Sequence, residues 1–164
     1  MTVSTLRPAQ ASDFPFIHRN AGRKENLTFI EDSPDDVLQA YIEDVDAALL
    51  IWIYDGSPAG FALFNELTHP DQQTELRRLA LDQTDTGLGQ LFLKDLVHFG
   101  LMTLGKDRVW LDVAPENARA IRSYNKAGFC QDHNATKIWH RRDGVSVDLL
   151  VFNYDRSDGP RGRP

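Results

Sequence analysis

Apolar residues fall into three rhythms along this chain, and each rhythm predicts a kind of element. Ala47 to Tyr54, "AALLIWIY", is apolar throughout and rich in Ile, Leu and Trp, which predicts a buried strand. The turn residues "DGSP" follow, and Ala59 to Leu67 predicts the returning strand of a hairpin. Thr74 to Asp82, "TELRRLALD", alternates instead. Strict alternation places Leu76, Arg78 and Ala80 on one face and Glu75, Arg77, Leu79 and Leu81 on the other. Leu88, Leu91, Phe92, Leu96 and Phe99 recur at helical spacing and predict a helix that ends near Gly105.

Punctuation residues fill in the rest. Val3 to Arg7 predicts a first strand, and Ser12 or Asp13 caps a helix that starts near Phe14 with Pro15 in its first turn. A second helix is expected over Pro34 to Tyr41. There Ser33 is the cap, Pro34 the first helical residue, and Asp35 and Asp36 lie at the positive helix end. Arg108 to Pro115 predicts a strand that leads directly into "PENARAIRSYNKAGF", a short helix entered through Pro115 and Asn117 and left through Gly128. From Phe129 a last hairpin is expected, with Arg141 to Gly144 as its turn and Val145 to Tyr154 as its final strand. The order is β-α-α-β-β-β-α-β-α-β-β. Its strand–helix–strand–helix stretch implies a locally parallel pair and its hairpins imply antiparallel edges, so the expectation is one mixed α/β sheet.

Composition narrows this picture. At 164 residues the chain suits a single domain, expected over residues 1–154. The Gly-, Pro- and Arg-rich stretch 155–164 has nothing to bury and is expected to be a disordered tail. A formal net charge of -6 argues against nucleic acid or an anionic membrane as partners. Cys130 is the one cysteine, so no disulfide forms within the chain, which points to a reducing compartment. The first residues lack the apolar stretch of a signal peptide, and no apolar run approaches the roughly 20 residues of a membrane helix. A cytoplasmic protein is the expectation. The five histidines show no metal-ligand spacing, and no metal is expected.

Three features have chemical potential. In "QTDTGLGQ" a strand passes through a loop with Gly87 and Gly89 into a helix, where backbone can approach a ligand closely and bare N–H groups can meet phosphate oxygens. The spacing is that of neither the dinucleotide nor the P-loop motif, and a simple tight turn is the other reading. Asn117 and Tyr124 lie seven residues apart on one helix face; Asn117 also suits an N-cap, and Tyr124 a core tyrosine bonded to a carbonyl. Glu75, on the strand before the glycine loop, also suits a surface ion pair with Arg77 or Arg78.

Together, "LALDQTDTGLGQLFL" and "VWLDVAPENARAIRSYNKAGF" resemble the GNAT superfamily of acyl-CoA N-acyltransferases, and "LRPAQASDFPFI" is similar to that family's first strand and helix. The most specific part is the spacing Asn117, Ala120, Tyr124, Gly128, Phe129 after a strand. The resemblance implies a mixed, mostly antiparallel sheet of about seven strands. Its parallel fourth and fifth strands would splay apart, and about four helices would flank it. It implies acetyl-CoA as cosubstrate. The pantetheine arm would pair with the backbone of Leu79, Ala80 and Leu81, and the diphosphate would sit on Thr84, Asp85, Thr86, Gly87, Leu88, Gly89 and Gln90, with Asn117 nearby. The implied catalytic residues are Tyr124, facing the departing sulfur, and Glu75, as base. One departure stands out: Thr84 opens the loop where the family usually has Gln or Arg, Gln83 lies one residue early, and Asp85 follows.

The implied activity is acetyl transfer to a primary amine on a cationic small molecule or a peptide. The acceptor would lie against the first two helices, their loop and the last hairpin. Glu25 to Asp46 holds Glu25, Glu31, Asp32, Asp35, Asp36, Glu43, Asp44 and Asp46 without Lys or Arg. It reads either as a solvated acidic face or as a field that attracts a cationic amine. Trp52, Phe64 and Trp139 suit core or hairpin packing, and Trp139 also suits the acceptor cleft. A CoA-binding sensor without catalysis and an interaction protein without a CoA site are the other classes, the last hairpin offering a homodimer surface.

Overall fold

The buried run becomes the second strand of a seven-stranded sheet. In the computed structural model, residues 3–23, 26, 30–83 and 87–156 are described. The strands are β1 (Ser4–Pro8), β2 (Ala48–Tyr54), β3 (Ser57–Asn65), β4 (Gln73–Leu81), β5 (Arg108–Val113), β6 (Cys130–His140) and β7 (Ser146–Asp155). They lie in the order β1-β2-β3-β4-β5-β7-β6. Only β4 and β5 pair in parallel; the other neighbours are antiparallel. Four helices are found among the described residues: α1 (Phe14–Ala21), α2 (Asp35–Glu43), α3 (Gly89–His98) and α4 (Ala118–Ala127). The mixed α/β sheet expected from the sequence is therefore the fold. No helix among the described residues is long and apolar enough to cross a membrane.

Two cores sandwich the sheet. On one face Trp52, Phe64, Leu76, Phe92, Leu96, Leu111 and Phe152 pack with α3 and α4; on the other, Phe14, Ile17, Leu38, Ile51, Phe61 and Leu63 pack with α1 and α2. Trp52 is fully buried as expected, and its indole N–H donates to Asp95 at 2.8 Å, so burial leaves no orphan donor.

Strict alternation in β4 is not what the chain does. Leu63 faces Arg78 and the next residue, Phe64, faces Leu76, so Arg77 is an extra residue in a β-bulge. The bulge flips the parity. Leu76, Leu79 and Leu81 all join the α3/α4 core, whereas Ala80 joins the other. Glu75 and Arg78, expected on opposite faces, consequently share the face toward α1 and α2.

β4 and β5 pair only at Gln73–Arg108, Thr74–Val109 and Glu75–Trp110, although β4 continues to Leu81 and β5 to Val113. β5 keeps its ladder with β7 over its whole length, and β4 keeps its ladder with β3. The sheet thus opens between β4 and β5 into a wedge.

The helices meet the sheet through local chemistry. Pro34 is the N-cap of α2, so the helix starts one residue later than expected, and the Ser33 hydroxyl accepts from Arg78 Nη1 at 2.5 Å. α1 is tied to the start of α2 by His18, whose Nδ1 lies 2.7 Å from Asp32 and whose Nε2 lies 2.5 Å from Asp35. Those carboxylates, Asp35 foremost, hold the His18 imidazolium above its ordinary pKa against a smaller effect of burial. After α3 the chain widens into a turn over Phe99–Thr103, and Gly100 backs directly onto Val109. β7 ends at Asp155, which pairs with Arg108, and Arg156 bonds to the Lys106 carbonyl at 2.7 Å. The stretch expected as a tail lies outside the described residues from 157 onward.

Two outcomes follow. A Cβ added at Gly100 would lie 2.4 Å from Val109 Cγ2, inside a stiff β-branched side chain of the core. Gly100→Ala should destabilise the fold by about 1–3 kcal/mol, and Val109→Ala in the same chain should recover part of that loss in a denaturation double-mutant cycle. His18 has a folded pKa above its unfolded value of about 6.5. Its stabilisation is therefore fully present below about pH 6.5 and is lost as pH rises through the folded pKa. Thermal melts of the native chain and His18→Gln should differ most at acid pH and converge at alkaline pH.

Candidate active site

Where β4 and β5 part, their facing N–H and C=O groups lose strand partners. The wedge continues into a cavity of about 590 Å3 walled by β4 from Glu75 to Leu81, by Asp112 and Val113 of β5, by α3 and α4, and by Lys137 to His140 of β6. An extended ligand bearing amides matches such an opening, because it can complete the ladder β5 leaves unfinished. Leu79, Ala80 and Leu81 all lie on this wall. Leu81 already lends its carbonyl to Arg23 Nη1 at 3.2 Å.

At the α3 end, Gly87 has φ +79, which calls for glycine. Gly89 has no such φ, and a Cβ there would meet nothing within 4 Å. Nothing in the protein's own packing requires glycine at 89; the free space beside the helix N-terminus suits a ligand that approaches its backbone. Both glycines line the cavity. Leu88 is the N-cap of α3 and packs on the core, and Gln90 Nε2 donates to the Ser123 carbonyl at 3.0 Å, so neither side chain is on the wall. Thr84, Asp85 and Thr86 lie outside the described residues.

α4 supplies Tyr124. Asn117 caps the helix, its Oδ1 accepting from Ala120 N at 3.3 Å, and Gly128 closes it at φ 109. Asn117 thus has the capping role while also lining the cavity. Tyr124 is 8% exposed and reaches the cavity between Phe129 and Phe152, ring centroids 5.8 and 6.3 Å away. Burial, aided by the Asp112 charge, pushes its phenol well above the ordinary value, so it stays protonated at neutral pH and can donate.

Glu75 sits at the apex of the wedge, buried at 6% exposure. It does not pair with Arg77 or Arg78. Its Oε2 takes Lys137 Nζ at 2.8 Å, and the same ammonium lies 3.1 Å from Asp112. Burial pushes the Glu75 carboxyl above its usual range, and Lys137 partly offsets this. For Lys137, burial acts to lower the pKa, but the bond to Glu75 and the two carboxylate charges outweigh it and hold the ammonium above its ordinary value.

The outer wall of the cavity comes from Ile30 and Glu31 before α2 and from Trp139 on β6. Trp139 donates to Glu31 at 3.0 Å, and Arg142 pairs with Glu31 at 2.9 Å. Much of the acidic stretch is committed internally: Asp32 and Asp35 to His18, and Asp46 to Thr68 at 2.7 Å. Glu25 lies outside the described residues.

Lys137, Asp112 and Arg119 also line the cavity without having been expected there, as does Arg78, expected only in the strand pattern or as an ion-pair partner of Glu75. Lys137 and Asp112 give no local signal, because they meet only through the β5-β7-β6 order. Arg119 did give one. It lies at the start of α4, where a cation opposes the helix dipole unless an anion sits nearby. Arg78 was mistaken for an alternating position because the bulge is invisible in the residue pattern.

Comparison with known proteins places this geometry. The Acetyltransferase (GNAT) family profile matches residues 14–129. An uncharacterized N-acetyltransferase of Mycobacterium tuberculosis is 34% identical over 119 residues, 68% of this chain and 72% of that protein. The spermidine N(1)-acetyltransferase of Escherichia coli is 24% identical over 132 residues, 76% and 71% of the two chains. The solved spermidine N-acetyltransferase of Vibrio cholerae in complex with CoA and spermine superposes with a TM-score of 0.77 at 17% identity, covering 94% of this chain and 96% of that one. With most of its length matched by the family profile and its sheet parted at the expected strands, the chain belongs to the GNAT family of acetyltransferases.

Proposed function

We propose that this acetyltransferase moves an acetyl group from acetyl-CoA to a primary amine that is cationic, as an ammonium, in solution. The observation that carries the reading is the wedge between β4 and β5, which opens onto a cavity containing both Tyr124 and Glu75. Bound acetyl-CoA supplies an activated thioester carbonyl. Leu79 to Leu81 offer ladder groups to its arm, and Gly87, Gly89 and the α3 N-terminus offer N–H groups to its diphosphate. Arg119 supplies a cation on the cavity wall, compensating for the absence of basic side chains in Thr84–Asp85–Thr86.

Transfer forms a C–N bond and breaks the C–S bond; the amine gives up one proton and the leaving sulfur gains one. A lysine-like amine is neutral in only about one molecule in a thousand at pH 7, so a base is useful. Glu75, held above the usual carboxylate range in the apex of the wedge, takes the proton directly or through water. Tyr124 faces the sulfur. Ordinary values already make net transfer from a phenol to a thiolate uphill by about 2 kcal/mol, and burial of Tyr124 makes it more so. Tyr124 therefore stabilises the developing thiolate by donating a hydrogen bond.

Thiol release from acetyl-CoA across a panel of polyamines, aminoglycosides, amino acids and short peptides tests the reading. Release with none of them, despite a rise in melting temperature with acetyl-CoA, would indicate a binding protein instead. Tyr124→Phe should lower kcat by about 10- to 1000-fold with little change in CoA affinity. Lys137→Met removes the main influence that lowers the Glu75 pKa and leaves burial and the Asp112 charge, which raise it, against a smaller opposing effect of Arg77. The acid limb of the kcat/KM–pH profile should move toward neutral pH, and activity at pH 7 should fall roughly 10- to 100-fold.

A further inference from the structure

The charges around the cavity do not balance locally. Its described wall holds three carboxylates, Glu31, Glu75 and Asp112, and four cations, Arg77, Arg78, Arg119 and Lys137. Each of those carboxylates already has a cationic contact, Glu31 with Arg142, while Glu75 and Asp112 share the single charge of Lys137. Arg78 is different. Its guanidinium is half-buried, its hydrogen bond goes to the neutral Ser33 hydroxyl, and among the described residues no carboxylate pairs with it. The nearby acid of the preceding loop, Asp32, is held by His18. The bulge at Arg77 turns Arg78 onto the same face as Glu75, so this cation and the proposed base lie on one face of β4 and both line the cavity.

A guanidinium keeps its charge at any working pH, and a poorly solvated one without an anion is costly. Burial is the largest influence on the Arg78 pKa and lowers it; the neighbouring cations Arg77 and Arg142 act in the same direction, and Tyr41 and Asp32 oppose them. Its donors form a flat fork that matches a carboxylate in two parallel bonds. Arg77 adjoins it in the chain, reinforcing the positive character of this wall.

Resting on the acetyl-transfer reading, we infer that Arg78 is an anion subsite for the acceptor. The amine substrate carries a carboxylate that docks on Arg78 while its amino group lies toward Glu75. The acceptor is then an amino acid or a peptide with a carboxylate near its reactive amine, rather than a polyamine. A polyamine would set a second ammonium against Arg78 and Arg77, which like-charge repulsion disfavours.

The experiment compares matched acceptors by thiol release: β-alanine, γ-aminobutyrate and glycylglycine, each beside its carboxamide, together with spermidine. C-terminally amidated tripeptides with and without an Asp side chain separate a main-chain carboxylate from a side-chain one. The carboxylate member of at least one series should show kcat/KM at least about tenfold above its amide. Arg78→Gln should bring that ratio close to one, chiefly through KM, and Arg78→Lys should keep part of it. Equal rates for acid and amide, loss of both alike in Arg78→Gln, or turnover of spermidine alone would overturn the subsite. Binding is measured in parallel as the melting shift produced by N-acetylglycine against its amide. A shift confined to the acid form and abolished by Arg78→Gln supports the subsite, and no difference overturns it. If that arm succeeds while no amine releases thiol, the transfer reading falls and the anion site stands.

Discussion

Everything at the site depends on two parallel strands that stop pairing after three residue pairs. Both stay anchored on their outer sides, β4 to β3 and β5 to β7, so the sheet does not lose its integrity when they part. Two rows of backbone groups are left bare at a cavity that no side chain fills. Hydrogen-bonding groups without partners are costly inside a protein and useful beside a ligand that can satisfy them. The opening also fixes where chemistry can occur, since Glu75 belongs to the last paired rung and the open space begins immediately beyond it.

The bulge is the second constraint, and it acts on direction rather than space. One additional residue in β4 lets Leu76, Leu79 and Leu81 all reach the same core, a set that strict alternation forbids. The same residue puts Glu75 and Arg78 on one face, toward α1 and α2. One local irregularity thus decides which β4 side chains pack with α3 and α4 and which polar groups share the opposite face.

Much of the architecture was legible because its signals are local. The buried run of β2, the Asp55–Gly56 turn with both φ values positive, the Asn117 cap and the Gly128 stop each announce themselves within a few residues. The order of strands and helices, and the parallel pair, followed from those pieces. Tyr124 could be named because it belongs to a spaced pattern, and Glu75 because the family resemblance implies a carboxylate on this strand; the structure brings both to one cavity. What stayed hidden was non-local. Lys137, on β6, meets Glu75 on β4 and Asp112 on β5, and three acids of the acidic stretch are paired with His18 or Arg142, distant in the chain. A bulge changes no residue type and so leaves no trace in the hydrophobic pattern.

The placement of β7 between β5 and β6 has a consequence for how the enzyme comes into being. During synthesis β6 emerges before β7, yet among the described strands β7 is the only one it pairs with. Until the last strand slides into its slot, Lys137 has no fixed address, and Glu75 and Asp112 face each other as bare like charges. A nascent chain can therefore build the β1–β4 meander and still be inert. The wall that carries Lys137 is finished only when residues 146–155 have left the ribosome, and the same residues bring Phe152 and Tyr154 to the core.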